Sequence, residues 1–114
     1  MNDCLFCKIS RDEIPANKVF ENENILAFRD IQPQAPTHIL IIPRQHIATT
    51  NDLTTDNQNL IAEMLLVAKD LAQSEGLSEN GYRLVFNCNK DGGQAVYHIH
   101  LHLLGGRKMS WPPG

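Results

Sequence analysis

The chain has 114 residues, a hydrophobic share of 42%, a charged share of 20% and a formal net charge of −3. This size and composition predict one ordinary globular domain over residues 1–114, with enough chain to bury an apolar core. The slight negative charge argues against a nucleic-acid or membrane partner. Neither a signal-type N-terminus nor a spanning segment is recognisable, so we expect a cytoplasmic protein.

The first predicted element is a short helix over residues 4–10, where apolar side chains recur before Pro15 interrupts regular structure. Cys4 and Cys7 lie in this segment, and Cys88 is the third cysteine. An odd number of cysteines in a chain without a secretion signal argues against a disulfide framework. The Cys4–Cys7 pair is therefore consistent with a metal site, a redox pair or two packed thiols.

The next three elements are predicted β-strands. Residues 18–21 and 25–30 alternate in polarity around an Asn-Glu-Asn turn, which predicts a hairpin. Two prolines make residues 31–36 irregular, and the nearly continuous apolar run of residues 37–43 predicts a central strand. His38 is the polar exception within that run.

One long helix is predicted over residues 56–75, because apolar residues recur there at intervals of three and four. Thr55 and Gln58 fit a capping box at its start, and Gly76 is placed to end it in a left-handed conformation.

A second hairpin completes the predicted sheet. Residues 81–87 predict a strand, residues 89–93 a glycine-bearing turn, and residues 97–106 a last strand that returns antiparallel. Together these elements predict an α+β fold, in which a five-stranded antiparallel sheet packs with one long helix and a short N-terminal helix.

The last predicted strand carries alternating histidines. His98, His100 and His102 would share one face of a strand, while the aliphatic residues between them face the core. Such a row is also compatible with a solvated face or a simple metal site. Phosphate chemistry explains more, because neutral imidazole is a competent nucleophile at phosphorus and the preceding Gly92-Gly93-Gln94 offers backbone N–H groups to phosphate oxygens. The pattern therefore favours a catalytic centre.

The sequence resembles the nucleotide-binding Hint branch of the histidine triad family in four places: the run from His98 to Leu104, the neighbouring Gly92-Gly93-Gln94, the segment from Asp30 to His38, and the ending Trp111-Pro112-Pro113-Gly114. The resemblance implies a homodimer in which two five-stranded sheets join. It also implies a purine nucleotide-binding hydrolase that cleaves nucleoside 5′-phosphoramidates, or acyl and aminoacyl nucleotides. Such an enzyme releases AMP through a nucleotidyl-histidine intermediate and needs no cofactor for catalysis.

The resemblance also implies a role for each matching residue. His100 would be the nucleophile, His102 would contact the phosphate and the leaving group, and His98 would orient His100 with His38 behind it. The implied nucleotide-binding residues comprise a ribose ligand, groups around the α-phosphate and side chains that pack the purine. In that order they are Asp30; Asn87, Gly93 and Gln94; and Phe6, Ile9, Phe28 and Ile31. For each apolar residue, an ordinary core position is an equally good interpretation.

Cys4, Cys7, His46 and His98 resemble the ligands of a structural zinc ion in some bacterial members of the wider family. A Cys₂His₂ set closes a tetrahedral site and leaves no open position for water. Two packed thiols and a helix-entry histidine are the alternative.

One residue departs from the family pattern, because Ala95 stands where a serine is common. A hydroxyl donor to the leaving atom is therefore missing at this position. Two alternative functions stay open: a dinucleoside polyphosphate hydrolase, against which the Trp-Pro-Pro-Gly ending argues, and a non-catalytic nucleotide-binding or scaffold protein, for which Ala95 is the hint.

Overall fold

A computed structural model describes residues 3–114 and confirms the predicted fold class. The helices and strands, in chain order, are α1 (Leu5–Ser10), β1 (Lys18–Glu21), β2 (Ile25–Arg29), β3 (Thr37–Pro43), α2 (Gln58–Ser74), β4 (Tyr82–Val85), α3 (Asn89–Gly92) and β5 (Leu101–Gly105). The strands form one five-stranded sheet in the order β1-β2-β3-β5-β4, and every neighbouring pair is antiparallel.

The predicted β1–β2 hairpin is present, and one side chain organises its turn. Asn22 Oδ1 accepts hydrogen bonds from the backbone N–H groups of Asn24, at 2.9 Å, and Ile25, at 2.7 Å. Asparagine stabilises turns in this way because its side chain replaces a backbone acceptor. The turn therefore ends at Ile25, the first residue of β2 that pairs with β3.

Helix α2 begins two residues later than predicted, after a 3₁₀ turn over Thr55–Asn57. The capping box is shifted by one residue from the predicted pair: the Thr54 side chain accepts from Asp56 N, and Asn57 Oδ1 accepts from Thr54 N. Gly76 follows the helix with φ of +76°, as predicted for a left-handed ending. None of the helices in residues 3–114 is long and apolar enough to cross a membrane.

Strand alternation sends neighbouring side chains to opposite faces of the sheet, and each face carries its own apolar cluster. The α2 cluster is the larger one, and it joins residues of the helix, including Met64 and Ala68, to Ile39, Ile41 and Leu103 of the sheet. The α1 cluster lies on the other face and comprises Phe6, Ile9, Leu26, Phe28, Leu40 and Ile42.

Three predictions in the second hairpin need correction. Strand β4 covers only Tyr82–Val85 of the predicted residues 81–87, and residues 89–92 form the short helix α3 in place of a turn. Strand β5 begins at Leu101, four residues later than predicted, so His98 and His100 precede the strand.

Proline explains the late start of β5. Ile41 pairs with Leu101, and this register would place Pro43 opposite Ile99. Proline has no N–H to give to a ladder, so the pairing cannot continue to this position. The N–H of Ile99 instead donates to Ile47 O at 2.7 Å, outside the sheet. The residues around His98 are thereby held by the loop that follows β3.

Candidate active site

The site lies on the sheet face opposite α2. His38 of β3 and His102 of β5 come from paired strands, and their ring centroids are 5.2 Å apart. The rings of His100 and His102 are 4.9 Å apart by centroid. Burial lowers the pKa of His38 and of His100, and it lowers that of His102 to about 4. All three imidazoles are therefore neutral near pH 7, as nucleophiles and hydrogen-bond relays require.

Main-chain groups determine which nitrogen of His38 carries its proton. Gln34 N–H donates to His38 Nδ1 at 3.0 Å, so this nitrogen is an acceptor. In a neutral ring the proton must then lie on Nε2, which is 2.9 Å from His102 Nδ1. His102 therefore accepts at Nδ1 and carries its own proton on Nε2.

His102 Nε2 is a buried side-chain nitrogen for which residues 3–114 provide no hydrogen-bond partner. Buried polar atoms of native proteins are nearly always paired, so an exception calls for an explanation such as a ligand. Because this nitrogen carries the proton, the missing partner is an acceptor, and a phosphate oxygen is one.

His100 has the opposite arrangement of its two nitrogens. Its Nδ1 lies 2.8 Å from the carbonyl oxygen of His98, and a carbonyl can only accept, so Nδ1 donates. The lone pair is then on Nε2, as a nucleophile needs. The ring is only 8% exposed and meets Phe6 edge-on, with centroids 5.1 Å apart.

The structure differs here from the implied relay. The main-chain carbonyl of His98, and not its imidazole, holds His100. His38 contacts His102 and does not stand behind His98. The reason is that the His98 ring is directed elsewhere: its Nε2 donates to Pro43 O at 2.7 Å, and its Nδ1 faces two thiols and a second imidazole.

That second group consists of Cys4, Cys7, His46 and His98, whose ligand atoms all lie within 4.8 Å of one another. His98 Nδ1 lies 3.3 Å from His46 Nδ1, and 3.4 Å and 3.5 Å from the sulfur atoms of Cys4 and Cys7. In a tetrahedral zinc site, bonds of about 2.0 Å to nitrogen and about 2.3 Å to sulfur separate two nitrogens by about 3.3 Å and a nitrogen from a sulfur by about 3.5 Å. The four side chains therefore have the spacing and chemistry of a closed zinc site.

Of the predicted phosphate-side residues, Asn87 lines a cleft of about 720 Å³, together with His38, His102, Gly92 and Trp111. The backbone of Asn87 also lies close to Gly92: a Cβ atom added to Gly92 would be 3.7 Å from the Asn87 backbone. Gly93 ends α3 with φ of +82°, a conformation that suits glycine.

Two neighbours of the cleft differ in what their side chains offer a ligand. The Gln94 amide is occupied by the main chain: its Nε2 donates to Ala48 O and Val96 O, and its Oε1 accepts from Asn89 N. The Gln94 side chain therefore stabilises the loop, and its amide groups are already used in these main-chain hydrogen bonds. Ala95 is exposed and brings no hydroxyl to the site.

The other predicted nucleotide contacts fall into two groups. Asp30 follows β2, its Oδ1 accepts from Gln32 N at 2.9 Å, and its Oδ2 lies 3.5 Å from His38 Nε2. Phe6, Ile9 and Phe28 are 3–5% exposed and pack together in the α1 cluster, as the core interpretation expects. Ile31 is 93% exposed, so its side chain is accessible to a ligand.

Sequence reasoning missed the groups that orient the histidines, which are Gln34 N–H, the His98 carbonyl and the Pro43 carbonyl. They act through main-chain atoms, which every residue type provides. No residue signature therefore marks them.

Comparisons with known proteins show the family of the chain. Residues 11–109 match the model of the HIT domain family. The chain is 51% identical to the purine nucleoside phosphoramidase of Escherichia coli K12 over 107 residues, which cover 94% of this chain and 90% of the relative. It is 54% identical to an HIT-like protein of Synechococcus elongatus over 112 residues, covering 98% of this chain and 97% of that one. A crystal structure of an HIT family hydrolase from Legionella pneumophila Philadelphia 1 superposes with a TM-score of 0.97 at 70% identity, covering 98% of this chain and all of the other. The predicted histidine triad membership is confirmed, and the chain therefore belongs to the HIT family, among its hydrolases.

Proposed function

We propose that the chain binds purine nucleotides and hydrolyses nucleoside 5′-phosphoramidates, or acyl and aminoacyl nucleotides, to release AMP. The observation that carries this proposal is the tautomer of His100: the hydrogen bond from Nδ1 to the His98 carbonyl leaves the Nε2 lone pair for attack on phosphorus. The similarity to a relative named purine nucleoside phosphoramidase supports the choice of substrate class.

The reaction has two steps. His100 Nε2 attacks the α-phosphorus, the bond from phosphorus to the leaving nitrogen breaks, and that nitrogen takes a proton from solvent water. Water then attacks the nucleotidyl-His100, the phosphorus–imidazole bond breaks, AMP leaves and one proton returns to solvent. In both steps the Nε2–H of His102 donates to a phosphate oxygen. This hydrogen bond stabilises the negative charge that these oxygens carry in the transition state.

The nucleotide would lie along the cleft beside His102. Asp30 would accept from the ribose hydroxyls, and Asn87 with the backbone of Gly93 would donate to the α-phosphate. Exposed Ile31 would cover the purine above the edge of the α1 cluster, so that Phe6, Ile9 and Phe28 act as its floor. Gln94 would support the phosphate loop through its main-chain hydrogen bonds.

Mass spectrometry tests the proposal directly. The protein is mixed with adenosine 5′-phosphoramidate, and the reaction is stopped without acid. We expect one adenylyl group on His100 and release of AMP. The matched control is His102→Gln, which retains the nucleophile and should form the same adduct more slowly. AMP binding without an adduct or turnover would support the scaffold function instead, and turnover only on dinucleoside polyphosphates would support the related hydrolase.

We also propose that Cys4, Cys7, His46 and His98 hold a structural zinc ion. The ion would fix α1 to the loop after β3 and take no part in the reaction, since four protein ligands fill its coordination sphere. Elemental analysis of protein expressed without added metal should find one zinc per chain. Cys7→Ser should lose the ion and lower the melting temperature, whereas Cys88→Ser should change neither.

We also propose the homodimer that the resemblance to the family implies. Strand β4 ends the strand order, and its four residues are only partly buried, which leaves an edge for a second sheet. Sedimentation equilibrium should give twice the chain mass. A single domain over residues 1–114, a cytoplasmic location and the absence of nucleic-acid or membrane partners stay predictions.

A further inference from the structure

We propose that His38 links recognition of the sugar to the chemistry at phosphorus. When a ribose hydroxyl hydrogen-bonds to Asp30, Asp30 attracts the Nε2 proton of His38 less, and the hydrogen bond from His38 to His102 becomes stronger. The sugar therefore raises kcat as well as affinity. The inference rests on the proposed function, in which Asp30 binds the ribose and His102 contacts the phosphate. It assigns His38 the part of a positioning residue that acts through His102.

One proton and two acceptors make this link possible. Gln34 N–H occupies His38 Nδ1, so the neutral ring has a single proton, on Nε2. His102 Nδ1 lies 2.9 Å from that nitrogen, and Asp30 Oδ2 lies 3.5 Å from it. The hydrogen therefore bonds to His102 Nδ1, while the negative charge of Asp30, beyond normal hydrogen-bond distance, also attracts it; the side chain of His38 is only 4% exposed, which strengthens both attractions.

The carboxylate is the acceptor that a ligand can change. Gln32 N–H holds Asp30 Oδ1 in place, and the Asp30 side chain is 21% exposed, so a hydroxyl can reach it. Hydrogen bonds from two ribose hydroxyls draw electron density from the carboxylate and weaken its pull on the His38 proton. The proton then lies fully toward His102 Nδ1, and this fixes the His102 Nε2–H on the phosphate.

Paired substrates test the link. We expect wild-type kcat to fall about tenfold when adenosine 5′-phosphoramidate is replaced by its 2′,3′-dideoxy analogue, within the usual range of coupling between two sites. In His38→Gln, kcat should be low and equal for both sugars, while the KM penalty for the missing hydroxyls remains. In Asp30→Asn, kcat on the dideoxy substrate should rise toward the wild-type value on the ribose substrate, because the competing charge is gone.

A matched control removes a different carboxylate from the same neighbourhood. Glu75 binds Arg29 and Thr37, the residues adjacent to Asp30 and His38, and has no contact with either histidine of the link among the described residues. Glu75→Gln should therefore keep the wild-type ratio of kcat between the two sugars. A sugar effect confined to KM in the wild type, or an undiminished kcat ratio in His38→Gln, would overturn the inference.

NMR of the imidazole nitrogens separates this inference from the proposed function. AMP should shift both ring nitrogens of His102 further than 2′,3′-dideoxy-AMP does, and His38→Gln should abolish that difference. A protein that shows these shifts but turns over neither substrate would contradict the phosphoramidase function alone. Turnover with identical His102 shifts for the two nucleotides would contradict the link alone.

Discussion

The two faces of the sheet differ in composition although β2, β3 and β5 contribute to both. The face toward α2 is wholly apolar in its buried cluster, with Ile39, Ile41 and Leu103 under the helix. The face toward α1 mixes apolar residues with His38, His100 and His102. Helix α2 has 17 residues and α1 has six, so only one face is covered along its length.

The difference shows how one sheet carries both stability and chemistry. The long helix excludes water from its face, so side chains there contribute packing. The short helix covers the other face in part, which buries the histidines enough to keep them neutral while leaving a cleft beside them. Changes on the α1 face should therefore alter the reaction, and changes on the α2 face should alter the free energy of unfolding.

The largest effect is expected for His100→Gly. Turnover of adenosine 5′-phosphoramidate should fall by about 10⁴-fold or more, because the variant lacks the Nε2 lone pair that attacks phosphorus. The free energy of unfolding should fall as well, since the ring packs against Phe6. Steady-state AMP release checks the rate and calorimetry with AMP checks binding. A folded variant that retains turnover would remove His100 as the nucleophile.

The counterpart on the α2 face is Met64→Ala. Met64 is fully buried, and its truncation should lower the free energy of unfolding by about 3 kcal/mol through lost apolar contacts and a residual cavity. Urea unfolding measures this loss. At a temperature where the variant is folded, its kcat should match the wild type, and a large loss of kcat would mean that the two faces are not separable. Leu66→Ala, on the exposed side of the same helix, is the matched control.

Low pH should lower the free energy of unfolding through His102, on the α1 face. The pKa of His102 is about 4 in the folded chain against an ordinary value of 6.5, so the unfolded chain binds more protons between these values. The stabilisation is therefore complete above about pH 6.5 and is lost as the pH falls toward 4. Allowing for solvent around the partly exposed ring, the loss should be about 2 kcal/mol.

Urea unfolding at several pH values measures this dependence. His102→Gln should unfold with a shallower pH dependence, because the variant lacks this group while His98 and the other titratable residues remain. Equal slopes in the two proteins would show that His102 is not the group responsible.

The smallest expected effect is that of Ala95→Ser. Restoring a hydroxyl near the leaving atom should lower the activation free energy on phosphoramidates by about 1 kcal/mol, which raises kcat/KM roughly fivefold. Ala95 is exposed, so the free energy of unfolding should hardly change. A rate equal to or below that of the wild type would mean that another group already donates to the leaving atom. Ala95→Gly is the control for a change in size without a donor.

The amino-acid pattern by itself determined the presence of five strands, the long helix and the family, but not the bounds of β4 and β5. Two-residue alternation assigned His102 to one face and Leu101 and Leu103 to the other, because successive side chains of a strand must point in opposite directions. The histidine run, with its glycine and proline context, was specific enough to predict the HIT family, which the comparisons confirm. These features depend on local geometry, which neighbouring residues encode.

Only the tertiary structure decided what each imidazole nitrogen contacts. The partners of His98 lie 55 residues away at Pro43 and more than 90 residues away at Cys4 and Cys7. His38 and His102 meet across 64 residues. A repeated histidine pattern assigns the three rings similar surroundings, yet the folded chain gives His98 and His100 different carbonyl acceptors and leaves the Nε2–H of His102 without one among the described residues. The tautomers, and with them the division into nucleophile, donor and metal ligand, follow from main-chain groups at Gln34, Pro43 and His98 and from the contact of His38 with His102, which side-chain identity does not encode.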